Sequence, residues 1–125
     1  MRDYNLIVAV DFDGTIVKHG YPDIGEEIPG AILILKKMQQ MGIQLILWTC
    51  RHHDDLVAAV KWCEEKGLVF DAVNSNIADP AQFQSPKVFA NVYIDDRCGG
   101  AFGEFTKEKW VNIGVHCIKM QLDKR

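Results

Sequence analysis

Two carboxylates stand two residues apart in Asp11-Phe12-Asp13-Gly14-Thr15, directly after the apolar run Leu6–Val10. Placed just past a strand, both can face one pocket, and Gly14 lets the backbone turn sharply and bring its N–H close to an anion. The same residues would suit a purely structural Asx-type turn, but a buried strand ahead of them favours chemistry. A second acidic pair, Asp95-Asp96, follows Val92-Tyr93-Ile94. Four carboxylates meeting in one crevice repel one another unless protons or a cation compensate. Oxygen-only ligands suit a hard cation, and Mg²⁺ needs only one or two carboxylates beside water and phosphate. Thr49 ends another apolar run, Ile43–Trp48. Its hydroxyl and the following backbone N–H can bind a phosphate oxygen. Lys87 precedes the last apolar run and could neutralise a carboxylate or a phosphate. Arg51, His52, His53 and Arg97 lie beside these clusters and are candidate substrate contacts, with Arg51 placed to reach a second anionic group.

The elements that must hold these residues follow from the apolar pattern. Leu6–Val10 and Ile43–Trp48 are short β-branched or aliphatic runs that suit strands buried on both faces. Leu68–Val73 and Val88–Ile94 read as a third and a fourth strand. Pro29 opens a helical stretch through Ile32, Leu35, Met38 and Gln39, which Gly42 stops. Asp54 and Asp55 sit where a helix N-terminus favours negative charge; Leu56, Val57, Val60 and Trp62 continue that helix and Gly67 ends it. Residues 16–28, with Gly20, Pro22 and Gly25, read as a loop or small hairpin, with Tyr21 either stacking on a ligand ring or packing the loop down. Residues 74–87 read as a long loop with room for one short helical turn. Residues 104–118 leave two options, a helix over Glu104–Lys109 and a last strand over Val111–Ile118. The alternation of strands and helices predicts a three-layer α/β/α sandwich on a Rossmann-like, mainly parallel sheet. In such sheets ligands bind beyond the carboxyl ends of the strands, where Asp11/Asp13, Thr49/Arg51 and Asp95/Asp96 all fall.

The composition is ordinary for a globular chain. Its 125 residues are 48% hydrophobic and 25% charged, with a net charge of −3. That length supports one domain, residues 1–125, and would starve a second of core. The mild acidity disfavours non-specific nucleic-acid binding without excluding a local basic patch. No apolar run is long enough to span a bilayer and no signal segment opens the chain, so a cytoplasmic protein is expected. The four cysteines, Cys50, Cys63, Cys98 and Cys117, form no C-x-x-C pair and read as reduced residues in or near the core. No G-x-G-x-x-G follows the first strand, which speaks against a dinucleotide-binding site.

Together these pieces resemble the haloacid dehalogenase-like hydrolase superfamily. Its first motif is matched by Asp11-Phe12-Asp13-Gly14-Thr15, its second by Ile46-Leu47-Trp48-Thr49, its third by Lys87, with Lys66 a weaker substitute, and its fourth by Tyr93-Ile94-Asp95-Asp96. All four occur in the family's order. The resemblance implies a phosphomonoester hydrolase in which Asp11 attacks phosphorus to form an aspartyl-phosphate and Asp13 acts as acid, then base. It implies Mg²⁺ held by Asp11, the Asp13 carbonyl and the Asp95-Asp96 pair, with Asp96 the direct ligand and Asp95 behind it. Thr49, Lys87 and the amides near Gly14 would stabilise the phosphoryl group. The dehalogenating branch lacks an Asp at position 13 and the ion pumps carry Thr there, so Asp13 is the phosphatase choice. Neither the stretch from Asp13 to Thr49 nor that from Thr49 to Lys87 has room for a cap domain, which resembles the capless branch, with residues 16–28 as a flap. The expected substrate is a small phosphorylated metabolite, a sugar phosphate or a nucleotide, with a homo-oligomer as one way to cover the open site. The alternatives are a macromolecular substrate, either a polynucleotide end or a phosphoprotein, and a non-catalytic phosphate-binding module.

Overall fold

Four strands form one sheet: β1 (Ile7–Val10), β2 (Gln44–Leu47), β3 (Ala72–Val73) and β4 (Val92–Ile94). The computed structural model describes residues 5–77, 87–97 and 104–123. All pairings are parallel, in the order β3-β2-β1-β4. Val10 pairs with both Leu47 and Ile94. The ladder then continues one residue further, through Trp48 N–H to Val10 O and Asp11 N–H to Ile94 O, each at 2.9 Å. This register places Asp11, Thr49 and Asp95 together at the carboxyl edge. The sequence folds this way because aliphatic side chains at β1 and β2 are buried on both faces.

Val8, Val10, Leu45 and Leu47 point into the main core, where they meet Leu35 of α1 (Ala31–Gln40), Ala59 and Cys63 of α2 (His53–Glu65), and Trp110 and Cys117 of α3 (Lys107–Asp123). Ala9 and Ile46 point the other way, into a smaller cluster with Val88, Ala90 and Ile77. The segment joining β3 to β4 thus supplies cover on that face. Its residues 78–86 lie outside the described residues, as do Cys98 and the short helical turn expected there.

Several boundaries differ from the sequence expectation. Helix α1 begins at Ala31, and Pro29 falls in the turn before Gly30. Strand β3 is two residues long because Asp71 turns its side chain onto the Leu45 N–H at 2.7 Å. Strand β4 starts at Val92, since Tyr93 folds its hydroxyl back to the Val88 carbonyl at 2.6 Å and so holds residues 88–90 off the ladder. The largest difference is α3, a single 17-residue helix where a last strand was one of the options. Its buried residues Trp110, Gly114, Cys117 and Gln121 keep helical spacing. Gln121 reaches across to the Leu6 N–H with its Oε1, at 2.7 Å, and caps the start of β1.

Between Asp13 and Thr49 the chain holds only a flap, α1 and β2. The flap is a small hairpin: Lys18 N–H meets Glu26 O and Ile28 N–H meets Ile16 O, both at 2.8 Å. Among the described residues, no helix is long and apolar enough to cross a membrane.

Candidate active site

At the carboxyl edge of the sheet lies a cleft of about 340 Å³. The strand ends supply Asp11 and Asp13 after β1, Thr49, Cys50 and Arg51 after β2, and Asp95, Asp96 and Arg97 after β4. The flap adds His19 and Tyr21. One ligand atom from each of Asp11, Asp95 and Asp96 lies within 4.8 Å of the others, and all three residues are half-buried. Burial, with further repulsion from Asp95, Asp96 and Asp13, pushes the Asp11 carboxyl up to about 7, against a partial counter-effect from the Phe12 N–H. Three converging carboxylates that offer only oxygen donors fit a hard divalent cation.

Asp13 stands apart from that triad. Its carboxylate is gripped by Arg51 through Nε–Oδ2 at 2.7 Å and Nη2–Oδ1 at 2.8 Å. Arg51 was expected to reach substrate. The structure instead buries it to 2% exposure, and all five of its N–H donors bond within the protein. The Asp13 hydrogen bonds hold its guanidinium more firmly charged than usual. Gly14 also differs from expectation. Its N–H closes the turn onto Val17 O at 2.7 Å rather than facing an anion. Its positive φ of 80° and lack of a side chain serve another end, since a Cβ there would run into the His19 ring and the Asp96 carboxylate.

Thr49 is set for a donor role. Its Oγ1 accepts the Arg51 N–H at 3.2 Å, which leaves the hydroxyl proton to point elsewhere. Asn74 holds the Thr49 peptide from both sides. Asp95 Oδ1 accepts the Arg97 N–H at 3.0 Å, so the acidic pair is braced by its own turn. Arg97 is exposed at the rim. Lys87 is exposed and is not among the residues lining the cleft, and neither is His52, whose ring stacks edge-on with His53. Cys63 and Cys117 are buried free thiols, which burial pushes up to about 12 and about 11, whereas Cys50 is exposed in the cleft.

Two contributors carried no sequence signal. His19, on the flap, bonds Asp96 Oδ2 through Nε2 at 2.8 Å. Asn74 lies in a polar loop whose composition suggests only a turn. Tyr21, for which two roles were open, rests its ring over the Arg51 guanidinium and donates its hydroxyl to Asp55.

A solved structure described as a conserved protein from Bacteroides thetaiotaomicron is 42% identical to this chain, with a TM-score of 0.80. The match covers 98% of this chain and 93% of that one. The chain belongs to the family of that conserved protein. No protein-family model matches the chain, and no curated protein does. The shared family therefore fixes the fold around the cleft and leaves its chemistry to be argued from the residues.

Proposed function

We propose that the protein is a divalent-cation-dependent phosphomonoester hydrolase of the haloacid dehalogenase-like type, acting on a small phosphorylated metabolite through an aspartyl-phosphate. The observation that carries this is the convergence of Asp11, Asp95 and Asp96 at the ends of β1 and β4, with Asp13 and Thr49 opening on the same cleft. A binding module would need no nucleophile beside its cation ligands. The cleft, about 340 Å³, suits a small ester better than a polymer end.

When bound, Mg²⁺ would offset the repulsion among the three carboxylates, keep Asp11 ionised and polarise a phosphoryl oxygen. Asp11 then attacks phosphorus in line, forming its bond as the ester P–O bond breaks. Asp13 protonates the departing alkoxide from the arrangement in which one of its oxygens has left the Arg51 fork and taken up a proton. In the second half, Asp13 takes a proton from water, whose oxygen bonds to phosphorus and releases phosphate from Asp11. The Thr49 hydroxyl donates to a phosphoryl oxygen as charge builds on it.

The test is phosphate release from a broad panel of phosphomonoesters, with Mg²⁺ and with chelator, beside Asp11→Asn. Cation-dependent release that Asp11→Asn abolishes supports the assignment. Full turnover in Asp11→Asn sinks Asp11 as nucleophile. Release only from phosphorylated oligonucleotides or peptides would move the substrate class.

A further inference from the structure

Arg51 does more than pair with Asp13. Beyond the Asp13 fork, its Nη1 donates to Pro22 O at 3.1 Å and to Asp55 O at 3.3 Å, and its Nη2 donates to Asp23 O at 2.8 Å. Its guanidinium lies between two rings, 5.1 Å from the centre of Phe12 and 5.0 Å from that of Tyr21. Phe12 belongs to the core, whereas Tyr21, Pro22 and Asp23 form the flap tip. One buried side chain thus ties the flap tip to the second aspartate of the cleft.

We propose that Arg51 is a positioning residue that locks Asp13 and the flap tip into one unit, so that a seated flap is what aims the Asp13 carboxylate. The guanidinium is a rigid planar fork with fixed donor directions. When it meets Asp13 with Nε and Nη2, its other N–H groups are turned toward the flap carbonyls of Pro22 and Asp23 and the Asp55 carbonyl of α2. Because the group is 2% exposed, an N–H that lost its carbonyl would be left buried and unpaired. The flap and the carboxylate therefore let go together, and the coupling runs equally in both directions. Only the consequence for turnover rests on the hydrolase reading; the mechanical coupling stands without it.

Hydrogen exchange on the intact protein tests this without any substrate. The reporters are the Lys18 and Ile28 amides, which pair across the flap. Asp13→Asn and Arg51→Lys are each expected to speed exchange at both amides by about tenfold or more, while the α1 amides keep their rates. Unchanged flap exchange in both variants overturns the coupling. Should those variants fail to fold, the reverse direction is measured. Tyr21→Ala, at an exposed position, is expected to shift the ¹³C carboxyl resonance of Asp13, while Tyr21→Phe, which keeps the ring, leaves it in place. An Asp13 resonance indifferent to Tyr21→Ala also overturns the coupling. Should the panel assay give turnover, Arg51→Lys is expected to lower kcat with little change in KM. Flap loosening with no hydrolysable ester found would remove the hydrolase reading and leave the coupling intact.

Discussion

The side-chain amide of Asn74 brackets the Thr49 peptide, its Oδ1 accepting the Thr49 N–H at 2.8 Å and its Nδ2 donating to the Thr49 carbonyl at 3.0 Å. Asn74 itself sits at a positive φ of 49°, and its N–H continues the sheet ladder to Leu47 O at 2.8 Å. An amide is the one side chain of this size that offers a donor and an acceptor side by side. Asn74→Ala loses both bonds and strains the backbone, at about 1–3 kcal/mol in all. Asn74→Gly relieves the strain and still loses the bonds. Thermal unfolding is expected to rank wild type above Gly above Ala. Phosphate release is expected to fall in both variants by about tenfold, as Thr49 loses its fixed aim.

The raised Asp11 carboxyl gives the cation-free protein a pH dependence of definite sign. The folded state holds its proton up to about 7, whereas the unfolded chain releases it near the ordinary carboxylate value. The stability this contributes is full at acid pH, declines as pH rises, and is gone above about 7. With chelator present, calorimetry across pH 5 to 8 is expected to show this decline in wild type and a flatter profile in Asp11→Asn. Mg²⁺ should bind more weakly as pH falls below about 7, since it must displace that proton.

Gly14 leaves the space that His19 and the Asp96 carboxylate occupy. Gly14→Ala puts a methyl group there, at a φ of 80° that alanine resists. The expected outcome is weaker Mg²⁺ binding by isothermal titration and loss of phosphate release, with the far-UV circular dichroism of the fold retained.

At Gly114 two effects oppose each other. Alanine favours a helix interior over glycine by about 1 kcal/mol. A Cβ at position 114, however, would lie 2.6 Å from Ile34 Cγ2 of α1, on a branched carbon that cannot swing away. Overpacking of this kind costs about 1–3 kcal/mol. Gly114→Ala is therefore expected to lower the unfolding midpoint despite its better helix propensity, as a thermal melt would record.

Much of the cleft was legible because a parallel sheet gathers its strand ends. An apolar run that stops at a polar cluster announces both the strand and the edge at which it stops. Asp11, Asp13, Thr49, Asp95, Asp96 and Arg97 could thus be read as neighbours from one dimension. Arg51 was legible as a neighbour but not as a buried fork, since nothing local says that flap carbonyls will arrive to fill its donors. His19 and Asn74 were invisible for the same reason: their partners lie 77 and 25 residues away. The last helix misled through its pattern. Val111, Ile113 and Val115 alternate as a strand would, while the face that packs inward mixes Trp110 and Cys117 with a glycine and a glutamine. There the tertiary fit of α3 against α1 outweighed local periodicity.

The Trp110 indole donates to the Thr15 carbonyl at 2.9 Å, across 95 residues of sequence. The acidic turn thus leans on a helix that leaves the ribosome after all four strands. A nascent chain carries its whole set of strand-end aspartates before it has the brace that sets the first of them. Contacts so distant in sequence form late and slowly, so the turn that carries Asp11 and Asp13 gains this brace only once α3 has been made and docked.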